Sequence, residues 1–169
     1  MGSLPGPGGP KGAKTKQVST KLGGSVERVS DKGHLSIIAF SGTVDRLYPV
    51  AILSSGAVMN DMRVDIFFTF WGLMALQKGK AAENLRTAVS QDYGPLGESF
   101  LRVAEEKNLP GWQAMLAQAR ELGDVHIKAC AMSMDLFGLT LEDLDPMVEE
   151  VAGVGEFVDA AKDGMTLVF

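Results

Sequence analysis

The chain of 169 residues contains one thiol, Cys130, placed where the short apolar run VHIKA at 125–129 gives way to the helix-like string MSMDLF at 132–137. A cysteine at the carboxyl end of a strand, facing the first turn of a helix, has backbone N–H groups and the helix dipole to stabilise its thiolate. Cys130 is therefore a candidate nucleophile. With no second cysteine, it can close no intramolecular disulfide and build no thiolate zinc site of the finger type, so any covalent chemistry must end on another molecule. Free cysteine is also among the most buried residue types, and a small structural hydrophobe is the competing reading.

The neighbours of the thiol carry their own pairs of readings. Ser133 is placed to donate a hydrogen bond to the sulfur, and Asp135 to orient the turn or cap the helix. Met132 and Met134 suit a soft, water-excluding rim or simple core filling, with a copper site the weaker alternative. His126 and Lys128 lie four and two residues before Cys130, so in a strand they project to its face, as a thiolate-stabilising contact or as packing.

These residues need elements to hold them. LSIIAF at 35–40 reads as a buried strand entering the turn Ser41-Gly42-Thr43, after which Asp45 can cap a helix carrying Leu47, Val50, Ala51 and Val58 at helical spacing. RVDIFF at 63–68 is a second buried strand, broken at Thr69-Phe70-Trp71-Gly72. Residues 78–98, with glycines at 79, 94 and 97, suggest a surface excursion, partly helical at 81–89. Helices are expected at 99–107, 112–122 and 153–162, and strands at 125–129, 147–151 and 165–169. Five strands with intervening helices imply an α/β, three-layer, Rossmann-like domain with a mostly parallel sheet and helices on both faces. In such sheets the site lies beyond the carboxyl ends of the strands, near the point where strand order reverses. Three turns are expected to converge there: the one with Ser41 and Gly42, the one with Thr69, Phe70 and Trp71, and the one that starts at Cys130. Phe70 and Trp71 would wall a pocket or fill core. Ser41-Gly42-Thr43 is no phosphate loop, and with neither GxGxxG nor a Walker pattern in the chain, no nucleotide, other cofactor or metal is assigned.

Sixteen basic against 21 acidic residues leave a net charge of -5, which gives a nucleic acid no positive field to bind. The apolar stretches 47–59 and 64–76 are interrupted by Asn60, Asp61, Arg63 and Asp65, so neither reaches the roughly 18 to 20 residues of a membrane span. The lone cysteine suits a reducing cytoplasm. Residues 1–33 are basic and rich in glycine and proline, and are expected to be a disordered tail preceding a single domain at 34–169.

Long strings in this reading carry a family resemblance. IIAFSGTVDRLYPVAILSSGAVMNDMRVDIFFTFWGL, KACAMSMDLFGL and GVGEFVDAAKDG resemble the DsrE/DsrF-like sulfur-carrier family, in its branch with FFTFWGL and CxMSMDL signatures, from about residue 35 to 169. The resemblance implies a Rossmann-like sheet and an acceptor cysteine, here Cys130, that takes sulfane sulfur as a persulfide and passes it on. It implies sulfur-donor and sulfur-acceptor proteins or small sulfane donors as partners, and assembly into an oligomer. Two other classes stay open: a non-catalytic ligand-binding or scaffold module with a structural cysteine, and a one-cysteine peroxidase. The last would want an arginine or threonine close to the thiol, which the sequence does not place.

Overall fold

Apolar runs of strand length lead the chain into the sheet at five places: β1 (His34–Ala39), β2 (Arg63–Phe68), β3 (Val125–Cys130), β4 (Glu150–Ala152) and β5 (Met165–Val168). In the computed structural model every ladder is parallel and the order is β4-β3-β2-β1-β5. The structure describes residues 33–79 and 88–169, together with Gly2. The expected tail at 1–33 and the helical turns at 81–89 fall almost wholly outside the described residues, and all that follows concerns the unit 31–169.

The helices between the strands are α1 (Val44–Met59), α2 (Phe70–Met74), α3 (Pro95–Glu106), α4 (Trp112–Leu122), α5 (Ala131–Phe137) and α6 (Val154–Ala161). Two boundaries differ from expectation. Thr43, not Asp45, precedes α1, and Asp45 in the first turn accepts a hydrogen bond from the Ser90 N–H at 2.9 Å. Helix α3 begins four residues before 99, because Pro95 suits the first helical turn, where its missing N–H is not needed. The strand expected at 147–151 forms at 150–152, while Met147 and Val148 turn into the core.

Alternation along each strand divides the side chains between two faces. One face carries Leu35, Ile37, Val64, Ile66, Phe68, Ile127 and Ala129, buried against Leu47, Val50 and Ala51 of α1 and against Trp112, Leu116 and Ala119 of α4. The other face carries Ile38, Phe67, Cys130 and Ala152, and α6 lies over it with Phe157 and Ala161. Since β4 and β5 occupy opposite edges, the segment joining them must cross the sheet, and α6 is that crossing. Phe157 stacks on Phe67 with ring centroids 4.9 Å apart and an interplanar angle of 22°.

Towards the amino ends of the strands this second face turns polar. Asp65, 1% exposed, takes Arg63 and His34 at 2.7 Å each, and Lys128 at 3.9 Å. Lys128 also bonds Glu150 of β4 at 2.7 Å and Glu156 of α6 at 3.5 Å, which ties the crossing helix to the sheet beneath it. A buried carboxylate of this kind holds only while its cations remain in place.

Candidate functional site

Cys130 is both the last residue of β3 and the residue that precedes the first turn of α5, so its sulfur stands at the carboxyl edge of the sheet, 4% exposed. Two hydroxyls meet it. Ser133, one turn into α5 and fully buried, lies with its Oγ 3.0 Å from Thr69 Oγ1, and the same Oγ accepts the Phe70 N–H at 3.0 Å. Burial pushes the Cys130 thiol up. A hydrogen bond from the paired hydroxyls of Thr69 and Ser133, with those from the N–H groups of Ser133 and Met132, outweighs it and holds the thiol below its ordinary value. The Phe70 N–H donates to Ser133, so whichever way the two hydroxyls are ordered, one donates to the other and a proton remains for the sulfur. Such a chain polarises each of its bonds.

The backbone is bent to make these contacts. Phe70 has φ of 45°, a left-handed conformation that costs a bulky residue on the order of 1–3 kcal/mol. Two glycines hold the turn close to β1: a Cβ on Gly72 would collide with the Ala39 carbonyl oxygen, and one on Gly42 with the Trp71 carbonyl oxygen. Hydrogen bonds from the Thr69 N–H to Ala39 O at 3.0 Å and from the Gly72 N–H to Phe40 O at 2.9 Å close the junction.

Above the sulfur is a cavity of about 430 Å³. Its floor is Ile38, Phe67 and Cys130, one side is Thr69, Phe70, Ala131 and Met132, and the other is α6 through Val154, Phe157 and Val158. Of the residues named from sequence, Cys130, Thr69, Phe70 and Met132 therefore line one space, with Ser133 buried against it. The others stand elsewhere. Ser41 bonds Thr43 at 3.2 Å, Gly42 packs under Trp71, and Trp71 is 58% exposed with its ring 5.9 Å from Phe137. Asp135 lies exposed in the last turn of α5, and the capping position expected of it belongs to Cys130. Met134 is in the core of the opposite face, which leaves Met132 alone of the two methionines beside the thiol.

His126 shares the face of Cys130 but sits four residues down the strand, about 13 Å at strand rise. It bonds Glu149 at 2.9 Å and Asp124 at 2.8 Å. With Arg120 it lines a separate recess of about 510 Å³, where Arg120 pairs with Glu149 and His126 with Glu149 and Asp124. Cys130 also lies two strands from the point where strand order reverses, between β1 and β5, although the cavity floor reaches Ile38 of β1. The site forms where α6 passes over the ends of β2 and β3.

Sequence reasoning missed the α6 wall, while Thr69, a candidate for lining the pocket or stabilising the thiolate, stands beside the sulfur. The signal for the wall was the apolar spacing of Val154, Phe157 and Val158 on one helical face. Thr69 also supplies the threonine that the sequence alone could not place beside the sulfur, while no arginine is among the described residues lining the cavity.

The sequence matches the DsrE/DsrF/DrsH-like family over residues 31–96 and 96–169. It is 32% identical over 149 residues to the sulfur carrier protein DsrE2 of Allochromatium vinosum, covering 75% of this chain and 87% of that protein. It is 28% identical over 153 residues to the uncharacterized protein YrkE of Bacillus subtilis, covering 79% of this chain and 94% of that one. Among solved structures, the ychN protein from E. coli aligns with a TM-score of 0.51 at 14% identity, over 81% of this chain and 99% of its own, a likeness of fold.

Proposed function

Because this chain belongs to the DsrE/DsrF/DrsH-like family, we propose that it is a sulfur carrier: Cys130 accepts a sulfane sulfur as a persulfide and relays it to a partner thiol. The observation that carries this reading is the sulfur itself, set at the floor of a cavity with hydroxyl and N–H donors that favour its thiolate. A thiolate attacks a donor's outer sulfur, the donor's S–S bond breaks, and the electron pair leaves with the remainder of the donor. With one cysteine in the chain there is no internal thiol to resolve the persulfide, so the sulfur stays until another molecule's thiol takes it. Sulfur-donor and sulfur-acceptor proteins are then the partners. The carrier is a homo-oligomer of the reducing cytoplasm, built from the domain at 34–169.

Two other readings each have one observation behind them. The 4% exposure of Cys130 favours an inert structural thiol, and Thr69 beside the sulfur favours a peroxidase. The test is intact mass after exposure to a polysulfide, with Cys130→Ser in parallel. The carrier gains sulfur that dithiothreitol removes, and the variant gains none. A native thiol that resists both sulfur and alkylating reagents supports the structural reading, and rapid sulfenic acid formation at low peroxide, without sulfur uptake, supports the peroxidase.

A further inference from the structure

We infer that sulfur enters this site on a donor with an uncharged, apolar body, an alkyl or aryl hydropersulfide reacting in its protonated form R–S–SH, in preference to thiosulfate or a donor with a charged body. The inference rests on the carrier reading above and adds the chemical class of the donor. Apart from the Thr69 hydroxyl and the thiol, the side chains around the cavity are apolar: Ile38, Phe67, Phe70, Val154, Phe157 and Val158. A volume of about 430 Å³ is in the range of small-molecule sites and admits a body of benzyl size.

Among the described residues no cation lines this space, and the basic side chain next along β3 is already committed. Lys128 bonds Glu150, Glu156 and Asp65, so its charge is neutralised from the strand and the helix on either side. Sites that take oxyanions supply guanidinium or ammonium groups to them. Here the donors beside the sulfur are neutral hydroxyls and amides, and they serve the thiolate. A thiosulfate dianion brought against that thiolate would lose its water to apolar walls and face a like charge with no counterion.

The step balances without an oxidant. Cys130 thiolate attacks the outer sulfur of R–S–SH, a new S–S bond forms, the old one breaks, and R–S⁻ departs with the electron pair to be protonated by solvent. The product is Cys130–S–SH, and sulfane sulfur changes hands with no net oxidation. Phe157 and Val158 hold the R group.

The experiment uses reduced full-length protein and three donors: benzyl hydropersulfide, glutathione hydropersulfide, which has the same reacting end on a charged body, and thiosulfate. The initial rate of one-sulfur gain at Cys130 is read by quenched mass spectrometry, each rate divided by that of the same donor with free cysteine. The normalised rate with the benzyl donor is expected to exceed the other two by at least about 10-fold. Val158→Lys, at a rim position 60% exposed, is expected to narrow that gap by raising the rates of the charged donors. Equal or faster loading from thiosulfate or glutathione hydropersulfide overturns the donor class and leaves the carrier reading standing, as does a gap that Val158→Lys does not change. Failure of all three donors on a thiol that alkylates normally overturns the carrier reading and this inference with it.

Discussion

Removing both hydroxyls beside Cys130 should return the thiol toward the value that burial alone would impose. Three hydrogen bonds reach the sulfur at once: one from the paired hydroxyls of Thr69 and Ser133, and those from the N–H groups of Ser133 and Met132. A hydrogen bond to a charged group contributes about 1.5–3 kcal/mol, of which a part persists with the neutral thiol, so losing one of the three should cost close to the lower end. That corresponds to a fall of about 10-fold in the thiolate-to-thiol ratio at a given pH. Thr69→Val keeps the side-chain shape and leaves Ser133 to donate, and Ser133→Ala leaves Thr69 to donate while it strips the Phe70 N–H of its acceptor, so each single variant should cost less than that. Because the two hydroxyls share one proton for the sulfur, the double variant should cost more than the sum of the two single ones. The assay is thiolate ultraviolet absorbance against pH, which reports the midpoint directly and is insensitive to how easily a reagent reaches a thiol only 4% exposed. A midpoint that does not move to higher pH in the double variant would refute the idea that these hydroxyls hold the thiolate.

Three further outcomes follow from the packing. Asp65→Asn leaves Arg63, His34 and Lys128 facing a neutral amide and should cost about 3–5 kcal/mol in urea unfolding near neutral pH. Burial pulls the Asp65 carboxyl up, but Arg63 and His34 hold it below 3.8. A carboxylate depressed in this way contributes stability that is fully present above the unfolded value and is lost as pH falls through the folded one. The gap between wild type and variant should therefore shrink only below about pH 4. Gly72→Ala forces a Cβ into the Ala39 carbonyl oxygen and should lower the melting temperature and raise the thiol midpoint together, since the same junction positions Thr69. Phe157→Ala removes the ring stacked on Phe67 and one cavity wall. It should cost about 3 kcal/mol and speed alkylation of Cys130 in the native state, both measurable in one pulse-labelling series.

Four of the five strands were legible because each is a short apolar or β-branched run set off by glycine, asparagine or aspartate; β4 was not placed correctly, since the apolar residues Met147 and Val148 before it fill the core instead. The turns after β2 and β3 were legible as site-forming for the same reason, and Thr69, Phe70, Cys130 and Ser133 do meet. What the sequence left open was which elements lie side by side. Ser41 and Gly42 stand at the correct edge of the sheet, but Ser41 bonds Thr43 and Gly42 packs under Trp71, so that β1 reaches the cavity only through Ile38. His126 has the same strand parity as Cys130, and parity fixes a face without fixing a level, which is why it ends in a different recess. The wall from α6 depends on β4 and β5 lying at opposite edges, a long-range fact that no local pattern encodes.

The most direct test of the account follows a sulfur atom through the protein. Cys130 is loaded with isotopically labelled sulfane sulfur, the excess donor is removed, and a thiol-bearing acceptor protein is added while peptide masses are recorded for both chains. The account predicts that the label appears on the Cys130 peptide, leaves it, and reaches the acceptor's cysteine in equal amount, with Cys130→Ser carrying none. Label that never resides on Cys130, or that reaches the acceptor equally fast with Cys130→Ser, would contradict it.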